Sequence, residues 1–132
     1  MLWLLLSSLA WADPVMIEAE GPGVVRVRAA EGVVYMPACG GVSWERFDPE
    51  AKVFLPIPGL PCGPLSAVLK IGPDGVEATL KAVLPPALEG GVHVVRAVVL
   101  VARKCKDNKP FPLAGCEGLS HYFGPNQVVH GK

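Results

Sequence analysis

From residue 15 onward the chain alternates apolar and polar positions with a period of two, which is the signature of half-buried strands. VMIEAE at 15–20 predicts a first strand, ended by GPG at 21–23. VVRVRA at 24–29 sets Val25, Val27 and Ala29 on one face and Arg26 and Arg28 on the other, because successive side chains of a strand point to opposite sides. Glu31-Gly32 makes a turn or bulge before a strand at 33–36, and a further strand covers 42–47. Asp48-Pro49-Glu50 reads as a turn. VFLPIP at 53–58 is extended, and its prolines restrict it to an edge strand or an irregular segment. A strand at 65–71 is closed by GPDG at 72–75. Val76, Ala78, Leu80, Ala82 and Leu84 then share a face opposite Glu77, Thr79 and Lys81. A corner at 85–91 leads into VHVVRAVVLVA at 92–102, the longest and most apolar strand, and a last strand covers 121–129. Roughly seven to nine short strands, turn signals about every ten residues and no helical period predict an all-β sandwich or barrel.

The long strand carries a functional expectation. His93, Val95, Ala97, Val99, Val101 and Arg103 form one face, with the polar residues at its ends as in a core face. Val92, Val94, Arg96, Val98, Leu100 and Ala102 form the other, and the central Arg96 turns that face outward. Val92, Val94, Val98 and Leu100 then make an apolar strip. Unless a neighbouring loop or the N-terminal segment covers it, such a strip marks a partner surface, with Val94, Arg96 and Val98 at its centre. The remaining aromatics, Tyr35, Trp44, Phe47, Phe54, Phe111, Tyr122 and Phe123, are scattered and are expected in core and loop packing.

PPALEGGVHVVRAVVLVA resembles the E–F corner of bacterial immunoglobulin-like domains, where a Pro/Leu/Gly corner feeds an alternating strand. VVYMPACGGVSWERFDP, with a second cysteine after VFLPIPGLP, is similar to small extracytoplasmic immunoglobulin-like proteins with a similarly placed cysteine pair. SHYFGPNQVV is similar to their last strand. The resemblance implies an immunoglobulin-like β-sandwich and little about activity, since that fold hosts many functions. The chain departs from the antibody Cys…Trp…Cys pattern, because Trp44 lies too close to both Cys39 and Cys62.

The first residues, MLWLLLSSLAWADP, combine a short apolar run with the small-x-small tripeptide Ala10-Trp11-Ala12. They predict a secretory signal peptide at 1–12, followed by one domain at 13–132, in a secreted or periplasmic protein. No Lys or Arg precedes the run, and an uncleaved leader would be the chain's one attachment to a membrane. Export changes the reading of the four cysteines, Cys39, Cys62, Cys105 and Cys116. An even count in an oxidising compartment points to disulfides. Three pairings are compatible with the sequence; Cys39–Cys62 and Cys105–Cys116 are favoured because each closes a local connection between strands. The first cysteine lies too far from the cleavage point for a lipoprotein anchor.

Charge and composition narrow the partners. Lys plus Arg and Asp plus Glu each number 12, so the chain has no basic footprint for nucleic acid and no polybasic membrane site. The 15 Gly and 14 Pro punctuate short segments and oppose long helices. Asn and Gln are scarce, a thermophile-like trait that GC-rich coding bias would also produce.

Catalytic chemistry lacks its parts. The cysteines form no short zinc knuckle, and Cys116 with His121 has no following Met to complete a blue-copper set. No Cys-x-x-Cys redox pair is present. Ser43, Ser66 and Ser120 sit in no nucleophile elbow, and Ser120 and His121 are strand neighbours that point apart. Glu45, Asp48 and Glu50 read as solvated turn charges rather than paired acids for sugar hydrolysis. The stretch KCKDNKPFPLAGC at 104–116 is instead a proline-stiffened hairpin that would present Lys109, Pro110, Phe111, Pro112 and Leu113 to a partner at low entropic cost. The expectation is an exported, non-enzymatic binding or structural module of the cell envelope with a protein partner and no cofactor. A periplasmic copper carrier using His and Cys, and a small secreted protease inhibitor using this loop, are the alternatives.

Overall fold

The computed structural model describes residues 13–59, 62, 67–80, 90–106 and 115–131. The expected leader, the loop residues Lys109, Pro110, Phe111, Pro112 and Leu113, and the corner at 85–89 lie outside the described residues.

The described residues form antiparallel sheets and no long helix. In chain order the strands are β1 (Val15–Gly21), β2 (Val24–Ala29), β3 (Val34–Pro37), β4 (Val42–Asp48), β5 (Val53–Ile57), β6 (Val68–Ile71), β7 (Val76–Thr79), β8 (Val92–Val101), β9 (Ser120–Phe123) and β10 (Gln127–His130). Three sheets result. One has the order β1-β2-β7, a second β10-β8-β4-β5 with β9 also on β8, and a third pairs β3 with β6.

Two features simplify this order. β2 and β3 follow one another along the chain, as do β6 and β7, and β2 pairs β7 while β3 pairs β6. They are two halves of one antiparallel ribbon, interrupted where Gly72–Gly75 turns. Gly75 has φ 76°, and a Cβ there would collide with the Val27 carbonyl. Only glycine suits both conditions. β9 and β10 are likewise one strand broken by a bulge. Phe123 lies opposite Val98 and Gln127 opposite Val95, so three residues of the edge face two of β8. Pro125 within this gap has no N–H for the ladder, which is why the single strand expected at 121–129 is two.

Alternation decides what is buried. Val25, Val27 and Ala29 of β2, Val95, Ala97, Val99 and Val101 of β8, Trp44 of β4, Ile57 of β5 and Ile71 of β6 join one apolar cluster with Val15, Val34, Met36, Leu80 and Val129. All three sheets contribute to it. The core face of β8 is therefore the one whose polar residues lie at its ends. Gln127 closes the cluster at one end. Its Nε2 donates to the carbonyls of Gly21 at 2.8 Å and Val24 at 3.2 Å, tying β10 to the β1–β2 turn.

The other end is held covalently. The disulfides Cys39–Cys62 and Cys105–Cys116 are both formed, as the local-loop argument expects. The first joins the β3–β4 turn to the β5–β6 connection, where Ala38 N–H also donates to Ala67 O at 2.9 Å. The second closes the base of the β8–β9 connection, beside a bridge in which Glu117 N–H donates to Lys104 O at 2.7 Å. Tyr35 and Ala102 exchange hydrogen bonds of 3.0 and 2.7 Å, and Leu100 N–H donates to Gly41 O at 2.8 Å. Three connections thus meet at one end, and both covalent cross-links lie there.

Candidate functional site

Two sheet surfaces turn away from the core, and they are chemically opposite. On β1, β2 and β7 the outward face carries arginines matched with glutamates, beside Met16, Val24 and Thr79. Arg26 Nε meets Glu20 at 3.1 Å, its Nη2 lies 3.8 Å from Glu77, its Nη1 donates to Asp74 O at 3.2 Å, and Arg28 pairs with Glu18. The hydrogen bond that Arg26 donates to Glu20, and the negative charge of Glu20, raise the Arg26 pKa above the ordinary arginine value. This is a solvated face of exposed ion pairs, whose contribution to stability solvent screening keeps small.

The outward surface of β5-β4-β8-β9/β10 is built on Arg96. Directly opposite residues on antiparallel neighbours share a face. Arg96 therefore lies beside Glu45 of β4, and Glu45 beside Pro56 of β5. Arg96 Nε donates to Glu45 Oε1 at 2.8 Å. The guanidinium carbon stands 4.0 Å from the centre of the Phe54 ring and 4.1 Å from that of Phe123. Phe54 in turn meets Phe47 edge-on at 5.4 Å. One arginine thus ties β9, β8, β4 and β5 together across the sheet surface. An aromatic contact to a cation contributes about 0.5–1 kcal/mol at an exposed site and more when water is excluded.

Apolar side chains surround this cluster. Val94 lies opposite Val128, Val98 opposite Phe123, Val92 opposite His130 and Leu100 opposite His121. Val92 is 60% exposed, Phe123 54% and Val128 55%. Val94, Arg96 and Leu100 are half-buried. Val98, expected in the exposed strip, retains only 9% exposure. It sits on the central strand, flanked by Ser43 of β4 and Phe123 of β9. The apolar surface is thus displaced from the middle of β8 towards β9 and β10.

The structure brings Val94, Arg96 and Val98 onto one surface and adds Glu45, Phe47, Phe54, Phe123 and Val128. Sequence reasoning passed over the phenylalanines, which were expected in core and loops; Trp44 alone among the strand aromatics of β4 and β5 is buried there. The usable signal was parity. Phe54, Pro56, Glu45 and Phe47 occupy the positions of β4 and β5 that alternate with core residues Trp44 and Ile57.

The other expected chemistry gains no constellation. Among the described residues no three His, Cys, Asp or Glu side chains gather as metal ligands. His93 Nε2 lies 2.9 Å from Gly90 O, and His121 and His130 flank opposite ends of the outward surface. All four cysteines are in disulfides, which fits folding in an oxidising compartment. No helix among the described residues is long and apolar enough to cross a membrane. No family model matches the chain, and neither a curated protein nor a solved structure gives a significant match.

Proposed function

We propose that the chain is an exported, disulfide-stapled immunoglobulin-like β-sandwich, spanning residues 13–132, that serves as a non-enzymatic binding or structural module of the cell envelope. Its strand order supports the fold reading. β1, β2 and β7 stand as strands A, B and E, and β9/β10, β8, β4 and β5 as G, F, C and C′ of such a domain. Side chains from both sets join one core. The two disulfides support the export reading.

The contrast between the outward surfaces carries the functional reading. One carries matched ion pairs and Met16 as its exposed large apolar side chain. The other leaves Val92, Phe123 and Val128 open to water beside the stacked Arg96. Contiguous apolar surface rimmed by polar groups marks a contact site, and aromatics and arginine are the residues that carry interface energy. Binding here is non-covalent and requires no cofactor.

The test is capture from envelope extract by immobilised protein. Phe123→Glu, which inserts a charge into the apolar surface, is expected to abolish capture, and Glu77→Lys on the opposite surface to leave it unchanged. Equal capture by wild type and Phe123→Glu refutes the assignment of the surface.

A further inference from the structure

Resting on the reading of this surface as a contact site, we infer that its partner is a second copy of the same chain, docked sheet to sheet about a two-fold axis. The first argument is charge. Arg96 and Glu45 lie side by side on the two central strands of the surface and carry opposite signs. A two-fold axis passing between them brings Arg96 of one copy over Glu45 of the other, and the reverse. The surface is complementary to itself, as an isologous interface requires. The surface of β1, β2 and β7 also pairs opposite charges, but Met16 is its one exposed large apolar side chain among the described residues, against Val92, Phe123 and Val128 here.

The second argument is size. The four strand columns lie about 4.8 Å apart and hold ten residues in β8, seven in β4, five in β5 and eleven along the edge from Ser120 to His130, at a rise of about 3.4 Å each. That is on the order of 540 Å² per copy, or about 1,100 Å² in a dimer, just above the ~1,000 Å² that a specific interface needs. Val92, Phe123 and Val128, which contribute the open apolar area, lie along one side of the axis. In the dimer they cover the Phe47, Phe54 and Pro56 side of the other copy.

The experiment is sedimentation equilibrium on the protein purified after expression of the full-length chain, over the micromolar to submillimolar range. Wild type is expected to approach twice the chain mass as concentration rises. Phe123→Glu and Val128→Lys, on two different strands, are expected to stay at one chain mass, and Glu77→Lys to behave as wild type. Circular dichroism and the non-reduced mass establish that each variant is folded with both disulfides. Wild type at one chain mass throughout overturns the second copy as partner. In that case Phe123-dependent capture of a different envelope protein leaves the binding surface intact, so the two failures are distinguishable. A dimer indifferent to both Phe123→Glu and Val128→Lys overturns the geometry.

Discussion

Replacing each disulfide in turn by a serine pair measures how far the stapled end depends on its cross-links. Cys39–Cys62 spans 23 residues and Cys105–Cys116 spans 11. Restricting the unfolded chain by loops of those lengths is worth about 3.4 and about 2.8 kcal/mol at 25 °C. Over residues 13–132, with an unfolding entropy of ~2.1 cal/mol/K per residue, those costs correspond to melting shifts of about 13 and 11 °C. Removing both costs roughly 6 kcal/mol, comparable with the entire stability of a marginal domain. Urea unfolding of the Cys39→Ser/Cys62→Ser and Cys105→Ser/Cys116→Ser variants, with mass spectrometry of the remaining bridge, reads both numbers. The longer loop should be the costlier loss. Losses under about 0.5 kcal/mol for both variants, or a clear reversal of the order, would refute the reasoning that these bridges act by constraining the unfolded chain.

Three further perturbations test the packing. Val99 is fully buried in the long strand, and Val99→Ala should cost about 2 kcal/mol in chemical denaturation through lost burial and a residual cavity. Gln127→Leu leaves the Gly21 and Val24 carbonyls without their donor, and should cost about 1–3 kcal/mol, with faster amide exchange at the β1–β2 turn. Gly75→Ala meets both a positive φ and the Val27 carbonyl, so it should destabilise by more than about 1 kcal/mol, whereas Gly32→Ala, also at positive φ but with open space around it, should cost less.

The legible parts of the fold were those set by local alternation. The two faces of β8 followed from where its polar residues stand, and Val95, Ala97, Val99 and Val101 are fully buried on the face so assigned. Arg26 and Arg28 fell outward for the same reason. The disulfide pairing was legible because both bridges close neighbouring connections. What alternation cannot carry is which strands lie side by side. Arg96, Phe54 and Phe123 come from β8, β5 and β9, and their stacking exists only once β4 is known to lie between β5 and β8. Val98 shows the same boundary: parity turns it outward, but its neighbours across the sheet decide how much water reaches it. The break at Gly124–Asn126 had a local signal in Pro125, and the bulge reverses parity, so Phe123 faces outward while Gln127 faces the core.

Solvent accessibility of single side chains, read by NMR with a soluble paramagnetic agent, tests the assignment of the contact surface most directly. In the dissociated protein Val92, Val128 and Phe123 should all broaden, and so should Met16, which is exposed on the opposite sheet. On association, Val92, Val128 and Phe123 should become protected while Met16 remains broadened. Protection of Met16 with continued broadening of Val92, Val128 and Phe123 would contradict the account.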